Sequence, residues 1–115
     1  MSSEKYNLEG LRQFVGEDEA AMKEMVGIFV ESVPGSLQEL NEGFEQNDLE
    51  KVGHYAHKLK SSIDILNIHD LKTDIRELEK LAKEKKEREK ISPLLKKTNY
   101  ILKKVLVELK NETSL

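Results

Sequence analysis

Cysteine is absent from the 115-residue sequence, which removes disulfides, thiolate metal sites and cysteine nucleophiles together. Long apolar runs are absent too, because no stretch approaches the ~20 residues that a membrane-spanning helix needs. The first ten residues, MSSEKYNLEG, lack the apolar segment of a secretory signal. We therefore expect a soluble, cytoplasmic protein that does not act on a membrane.

No single sign of charge dominates the chain. Charged residues make up 36% of it while the formal net charge is only −3, so acidic and basic side chains are interspersed over a solvated surface. This distribution argues against non-specific binding of nucleic acid. A length of 115 residues fits one domain with one core. We predict a single domain over residues 1–115 that acts as a monomer.

Proline is scarce, and both prolines, Pro34 and Pro93, stand where we expect a helix to begin. Between the breakers, apolar residues recur at spacings of three and four, which is typical of amphipathic helices, and no strand pattern is evident. Short connections between long amphipathic helices favour antiparallel neighbours. The sequence therefore predicts an all-α fold, an antiparallel up-and-down four-helix bundle with one or two additional short N-terminal helices.

Six helical segments are predicted. In chain order they are Asn7 to Val15, Glu19 to Ser32, a third that begins at Pro34, a fourth from Leu49 to Leu66, a fifth from Ile68 to Ala82, and a sixth from Ser92-Pro93. Asp18 is predicted to cap the second, and Asn47 and Asp48 are predicted to supply the break after the third and the cap of the fourth. Leu8, Leu11, Phe14 and Val15 are predicted to face inward in the first. The charged stretch KEKKEREK, Lys83 to Lys90, is predicted to be a fraying helix end plus a loop.

The outer face of the fourth predicted helix carries chemistry. At ~3.6 residues per turn, the positions that share a helix face with His57 lie next to the buried apolar stripe and outside it. These positions are Gly53, His54, Lys60, Ser61 and Asp64. We therefore predict that His57 is exposed. A glycine inside a helix lowers helix stability by ~1 kcal/mol relative to alanine. A glycine at position 53 therefore indicates a functional reason for the small residue, such as clearance for an approaching protein.

An exposed histidine beside a lysine suits phosphoryl transfer. A side chain with the ordinary imidazole pKa of ~6.5 is a competent nucleophile near neutral pH and could attack the phosphorus of an aspartyl phosphate. Lys60, one turn along, could stabilise the negative charge of the transition state. Ser61 could add a hydrogen bond, or could be merely a small spacer.

These residues resemble a known family. The segment AHKLKSS, Ala56 to Ser62, is similar to the A-H-x-L-K-G-S motif of histidine phosphotransfer (HPt) domains. FVESVPGSLQEL, Phe29 to Leu40, resembles the family's F-x-x-x-x-P-x-x-L-x-x-L helix junction, and the resemblance covers about Tyr6 to Ala82. The chain departs from the pattern at Ser61 and Asn67, which replace glycines; asparagine also tolerates the left-handed conformation that glycine adopts.

The resemblance implies a phosphocarrier without autokinase activity, and not an enzyme in its own right. It implies that His57 accepts a phosphoryl group at Nε2 from one response-regulator receiver domain and passes it to another, with a hybrid sensor histidine kinase upstream. Receivers would dock on the helices around the histidine, where Gly53, His54, Ser61 and Asp64 would shape the surface. The chain would need no nucleotide or cofactor of its own, and Mg²⁺ is expected on the partner receiver.

Two alternatives stay open at the level of sequence. Glu50, His54 and His57 could lie on one helix face and bind a metal ion, although no second helix repeats a matching ligand pattern. The chain could instead be a helical module that docks receivers without carrying phosphate. An apolar docking patch near Leu8, Leu11 and Val15 is a further expectation.

Overall fold

The computed structural model describes residues 5–85 and 87–113, so that Met1 to Glu4, Lys86, Ser114 and Leu115 lie outside the described residues. Within these ranges the chain is all-helical, as predicted, and contains no strand. The helices are α1 (Glu9–Val15), α2 (Glu19–Glu45), α3 (Leu49–Ile65), α4 (His69–Glu84) and α5 (Arg88–Thr113). None of them, within the described residues, has the length and apolar character needed to cross a membrane.

The four long helices form a bundle, and the molecule as a whole measures 45 × 21 × 20 Å. Helix α3 packs between α2 and α4, and α5 closes the ring against α4 and α2. The predicted apolar seam of α3 is inside the bundle, where Val52, Ala56 and Ile63 are fully buried. The seam of α4 is buried opposite it. The four-helix bundle is therefore confirmed, with α1 as its one extra N-terminal helix.

The predicted helix boundary at Pro34 is wrong, because α2 continues through this residue to Glu45. The apolar stripe runs without a break across the proline, and Val33 and Leu37 on either side of it are both buried. Pro34 itself is exposed, so water can reach the Val30 carbonyl, which loses its hydrogen-bond donor. Packing of a continuous stripe therefore outweighs the local cost of the proline.

A second predicted boundary, at Ser92-Pro93, is also wrong. Helix α5 begins at Arg88 and has Pro93 inside it. Helix α4 runs to Glu84 and ends at Lys85, whose φ of 55° is left-handed. Most of the charged stretch predicted to fray is therefore helical, since the long polar side chains can stay in water while Leu81 and Ile91 are buried.

Helix α1 buries a narrower stripe than predicted. Leu11 is fully buried, but Phe14 is 80% exposed. Because residues advance about 100° around a helix, Leu8 and Val15 lie to one side of Leu11 while Phe14 lies on the other. A seven-residue helix can cover only one of these sides. The expected apolar docking patch is corrected accordingly: Leu11 is inaccessible, and Phe14 is the exposed apolar side chain.

The predicted caps at the starts of α2 and α3 are confirmed. The Asp18 side chain accepts a hydrogen bond from the Ala21 amide and caps α2, and Asp48 caps α3 in the same way through Lys51. Asn67 takes the left-handed conformation, with φ of 53°. Its replacement of the glycine in the family pattern therefore keeps the backbone geometry.

Polar side chains also join helices that are distant in sequence. Asn41 of α2 and Asn99 of α5 donate an amide hydrogen bond to each other, at 2.8 Å in both directions. The Tyr6 hydroxyl, on a buried ring, donates to the Glu112 carboxylate of α5. Burial, followed by this hydrogen bond, raises the pKa of Tyr6. The Tyr6 contact ties the first described residues to the end of α5, and the amide pair ties α2 to α5.

Candidate functional site

The predicted face of α3 is only partly a solvent face. The His57 side chain is 61% exposed, as expected, and His54 and Ser61 are also exposed. Lys60 and Asp64 are half-buried. Gly53 is buried against α4, which corrects its expected position on the open surface. The face therefore borders α4 along one side.

A carboxylate that the sequence analysis missed lies at the centre of this border. Glu79 of α4 is only 6% exposed, and its Oε2 lies 2.8 Å from His57 Nδ1. Its Oε1 accepts a hydrogen bond from Lys60 Nζ at 2.9 Å. Lys83, one turn farther along α4, places its Nζ 2.9 Å from Oε2. Three side chains thus converge on one buried carboxylate.

This convergence keeps Glu79 ionised. Burial alone would raise the pKa of the carboxyl group, but hydrogen bonds from Lys60, Lys83 and His57 outweigh it and hold the pKa at about 2. A charged carboxylate at this buried position lowers the stability of the fold little only while its three hydrogen-bond donors remain. Without them it would be an unpaired buried charge, which is strongly destabilising. Glu79 is therefore a fixed negative charge beneath the imidazole at neutral pH.

A fixed carboxylate at Nδ1 determines the tautomer of His57. A carboxylate can only accept, so the neutral ring must carry its proton on Nδ1 to make the 2.8 Å contact. Nε2 then keeps its lone pair, and ring geometry directs that lone pair away from Glu79. The side chain as a whole is 61% exposed, so the ring can meet a group that approaches from solvent.

The electrostatic balance of the site favours an incoming anion. One carboxylate, Glu79, is shared by two ammonium groups, those of Lys60 and Lys83. The cluster therefore carries one excess positive charge while the imidazole is neutral. Lys60 is 27% exposed and Lys83 is 66% exposed, so both can turn part of their hydrogen-bonding capacity toward a group on Nε2.

The other predicted site residues flank this cluster without joining it. Asp64 forms a two-pronged ion pair with Arg76 of α4, at 2.7 and 3.1 Å. The Asp64 contact raises the pKa of Arg76. His54 packs edge-on against the Tyr55 ring, with 4.9 Å between ring centroids. Asp64 thus braces α3 against α4.

The interface between α3 and α4 is opened beside His57 by a small residue. An added Cβ at Gly53 would lie 3.6 Å from the Ala82 Cβ and from the Lys83 Cγ, which is ordinary contact. Alanine would therefore fit at this position. A groove of about 430 Å³ opens here and reaches His57, and Gly53 and Ala82 lie on its wall.

A sequence signal for Glu79 does exist. In the apolar stripe of α4, Ile75, Leu78 and Ala82 point inward, and position 79 lies on the same stripe, one turn from Ile75. A glutamate among buried positions indicates a buried partner. Only the fold reveals that the partners are on α3, because spacing along one helix carries no information about its neighbour.

The metal alternative gains no support from the described residues. In residues 5–85 and 87–113, no group of three or more histidine, aspartate or glutamate side chains is placed to hold a metal ion. Glu50 and His54 lie beside His57 on α3, but Glu79 approaches only His57 among the three, and it is occupied by two lysines.

Comparison with protein families agrees with the site. The family model described as "Hpt domain" matches residues 24–112 of the 115. The match leaves out α1 and takes in nearly all of α5, whereas the motif resemblance covers Tyr6 to Ala82. No curated protein and no solved structure matches the chain. On the family match, the chain belongs to the histidine phosphotransfer domains, which serve as phosphocarriers in phosphorelays and not as kinases.

Proposed function

We propose that this protein accepts a phosphoryl group on Nε2 of His57 from the aspartyl phosphate of one receiver domain and passes it to the aspartate of another. The observation that carries this proposal is the pairing of an exposed imidazole with a buried carboxylate. Glu79 holds Nδ1 at 2.8 Å and so leaves Nε2 unprotonated toward solvent. No other histidine in residues 5–85 and 87–113 has an ion pair with a carboxylate.

The transfer step needs no net movement of a proton. The Nε2 lone pair attacks phosphorus, the P–Nε2 bond forms, and the P–O bond to the receiver aspartate breaks with its electron pair going to the carboxylate. The proton on Nδ1 stays in its hydrogen bond to Glu79, which stabilises the positive charge that develops on the ring. For onward transfer, the aspartate of the second receiver attacks phosphorus and the P–Nε2 bond breaks.

Lys60 and Lys83 stabilise the negative charge on the phosphoryl oxygens as it spreads in the transition state. Their distances of 2.9 Å to Glu79 place both ammonium groups next to the imidazole before any partner arrives. Mg²⁺ belongs to the receiver, where it neutralises phosphoryl oxygens from the opposite side. This chain contributes the nucleophile and two cations, and no cofactor.

The proposal is tested by incubating the purified protein with a panel of phosphorylated receivers, and separately with ATP alone. We expect a label that depends on the receiver, that is stable in alkali and labile in acid, and that is absent with ATP alone. His57→Gln should abolish it without affecting the helical signal in circular dichroism, since an exposed side chain contributes little to packing.

His69→Gln is the matched control, because it removes an exposed imidazole at the start of α4 that has no carboxylate partner and lies outside the predicted docking surface. It should leave the label unchanged. Persistence of the label in His57→Gln, or its loss in His69→Gln alone, would place the acceptor elsewhere. No label from any receiver on the folded protein would favour the docking-only alternative.

A further inference from the structure

The outward face of α5 carries two rows of lysines around an apolar centre. From residue 96 to residue 110 the helix has five lysines and one acidic residue, Glu108, although the whole chain has a net charge of −3. Because seven residues make about two turns, positions seven apart align along a helix. One row consists of Lys96, Lys103 and Lys110, the other of Lys97 and Lys104, and Tyr100 and Val107 lie between the rows. All of these side chains are exposed, and together they form what we call the basic face of α5.

The apolar centre of the basic face is a shallow depression. Tyr100 is 60% exposed and Val107 is 59% exposed, and the depression over them has a volume of about 520 Å³. Lys103 and Lys104 line it from the two rows, and Lys104 Nζ lies 4.6 Å from the centroid of the Tyr100 ring. Single apolar side chains are ordinary on a protein surface. Two of them in one depression, with cations at its edge, suit an apolar group that has anions beside it.

Most of the positive charge on this face is not neutralised within the chain. Lys97 Nζ lies 2.6 Å from Asp74 Oδ2 of α4. The other four lysines of the two rows form no ion pair with a carboxylate in the part of the chain that the structure describes. A hydrogen bond from Lys104, together with the charges of Lys104 and Lys5, lowers the pKa of Tyr100. The same positive potential would stabilise a carboxylate that another molecule brings to this surface.

The basic face lies away from the phosphoryl-transfer site. Helix α5 packs against α4 and α2, and α3, which carries His57, lies across the bundle from it. A partner bound to the basic face therefore leaves the imidazole accessible. The transfer chemistry proposed above uses none of the residues of this face.

The extent of the face indicates the size of its partner. Lys96 and Lys110 are ~21 Å apart along the helix axis, at ~1.5 Å per residue. An extended peptide covers this distance with about six or seven residues, at ~3.3 Å each. A membrane surface or a nucleic acid is a broader anion, and it would also approach Asp74 and the exposed Glu77 on neighbouring α4. The net negative charge of the whole chain opposes the approach of such an extended anion.

We propose that the basic face of α5 binds a short acidic polypeptide segment of a partner protein. An apolar side chain of that segment occupies the depression over Tyr100 and Val107, and its carboxylates pair with Lys103 and Lys104 at the edge. The binding is independent of phosphoryl transfer, so it provides a second contact that can hold the protein near a partner while His57 stays open.

A charge reversal tests the proposal. The probe is a fluorescently labelled synthetic peptide of about eight residues, with one leucine among glutamates, and anisotropy measures its binding. We expect saturable binding that weakens as salt is added. Lys103→Glu/Lys104→Glu should weaken it on the order of tenfold or more, since each lost pair is replaced by a repulsion.

Lys23→Glu/Lys80→Glu is the matched control. It changes the net charge by the same amount at two exposed lysines outside the basic face, and it should weaken binding by at most about twofold. Both reversal variants should keep the helix content of the wild type in circular dichroism, because the altered side chains are exposed.

A second peptide, with serine in place of the leucine, tests the depression. It should bind the wild type roughly threefold more weakly than the leucine peptide. Tyr100→Ala/Val107→Ala removes the apolar centre and keeps the lysines, so it should bind the two peptides equally. A leucine preference that persists in this variant would place the apolar contact elsewhere and overturn the proposal.

The location of the peptide is read by nuclear magnetic resonance. Saturating peptide should shift the signals of Tyr100 and leave those of His57 unchanged. Shifts centred on His57 would mean that the peptide binds at Lys60 and Lys83 instead, and they would overturn the proposal. So would the absence of peptide binding to the wild type, or an equal loss of binding in the two reversal variants.

Two further probes distinguish the class of partner. Vesicles of phosphatidylserine and phosphatidylcholine, and single-stranded DNA, should bind more weakly than the leucine peptide. Tighter binding of either one, lost in Lys103→Glu/Lys104→Glu, would assign the basic face to a membrane or to a nucleic acid and would overturn the proposal.

Discussion

Lys83 Nζ and His57 Nδ1 lie 2.9 and 2.8 Å from the same atom, Glu79 Oε2. The lysine and the histidine belong to different helices, so one carboxylate oxygen couples the imidazole of α3 to a cation of α4. A change at either donor redistributes the hydrogen bonding of the other. The hydrogen bonding of His57 is therefore a property of the α3–α4 pair and not of the motif helix alone.

Lys83→Ala should slow transfer from receivers by roughly two- to fivefold, comparable to the loss of one exposed ion pair, because Lys60 remains beside the imidazole. The maximal rate at saturating receiver is the quantity to measure. Lys80→Ala removes an exposed lysine of the same helix and should leave this rate unchanged. A rate for Lys83→Ala equal to that of wild type would show that Lys60 alone supplies the needed charge.

Glu79→Ala should change the tautomer of His57. In the wild-type protein, nitrogen NMR is expected to show a protonated Nδ1 and an unprotonated Nε2, because Glu79 Oε2 accepts the Nδ1 proton. Without that acceptor the ring should become a mixture of tautomers. Glu79→Gln keeps a carbonyl oxygen that can accept the bond and should preserve much of the wild-type spectrum. Identical spectra in all three proteins would contradict the assigned role of Glu79.

Stability in acid should depend on Glu79. Its folded-state pKa of about 2 lies below the ordinary value of 4.5. The unfolded chain therefore binds a proton first as pH falls, and the stabilisation is complete above about pH 4.5 and is lost as the pH approaches 2. Between pH 6 and pH 2 the free energy of unfolding should fall by about 1 to 3 kcal/mol more in wild type than in Glu79→Gln, with solvent screening reducing the full value. Parallel denaturant titrations would measure it, and coincident pH profiles would contradict it.

Tyr6→Phe should lower the free energy of unfolding by about 1 kcal/mol through loss of the hydrogen bond to Glu112. The buried ring itself is retained. Tyr100→Phe, at a 60% exposed residue, is the control and should have little effect. Phosphoryl transfer should be unaffected in both variants. A Tyr6→Phe protein as stable as wild type would mean that packing of the ring alone fixes this segment.

Pro34→Ala should raise the free energy of unfolding by about 1 to 3 kcal/mol, because it restores the hydrogen bond to the Val30 carbonyl inside α2 and removes the clash of the ring. Denaturant unfolding would measure the gain, with unchanged helix content by circular dichroism. A loss of stability would show that α2 is bent around the proline in a way that alanine does not support.

Much of the fold could be predicted from the sequence because its determinants are local. Spacings of three and four placed the buried seam of α3, and the left-handed Asn67 and the cap at Asp48 followed from residue type. The two wrong helix boundaries have one cause. A proline locally favours the start of a helix, whereas Val33 and Leu37 are buried on either side of Pro34 and make the helix continuous.

The site could be predicted only in part, for a different reason. The exposure of His57 and its proximity to Lys60 follow from one helix and are present in the structure. The contact with Glu79 depends on how α4 is rotated against α3, which no spacing within either helix determines. The same rotation buries Gly53 and gives Asp64 its partner Arg76.

The amide pair of Asn41 and Asn99 sets the alignment of α5 along α2. A displacement of one turn, ~5.4 Å, would keep apolar side chains in register with apolar neighbours but would separate the two amides. Both amide oxygens and Asn41 Nδ2 would then lose their partners in a half-buried position, at a cost of ~1 to 3 kcal/mol, whereas Asn99 Nδ2 would keep its hydrogen bond to the Leu95 carbonyl. Hydrophobic burial alone would allow α5 to be displaced by a turn, whereas the loss of these hydrogen bonds disfavours the displaced alignment. The two hydrogen bonds form at only one alignment, so they favour a single position of the last helix when the bundle assembles.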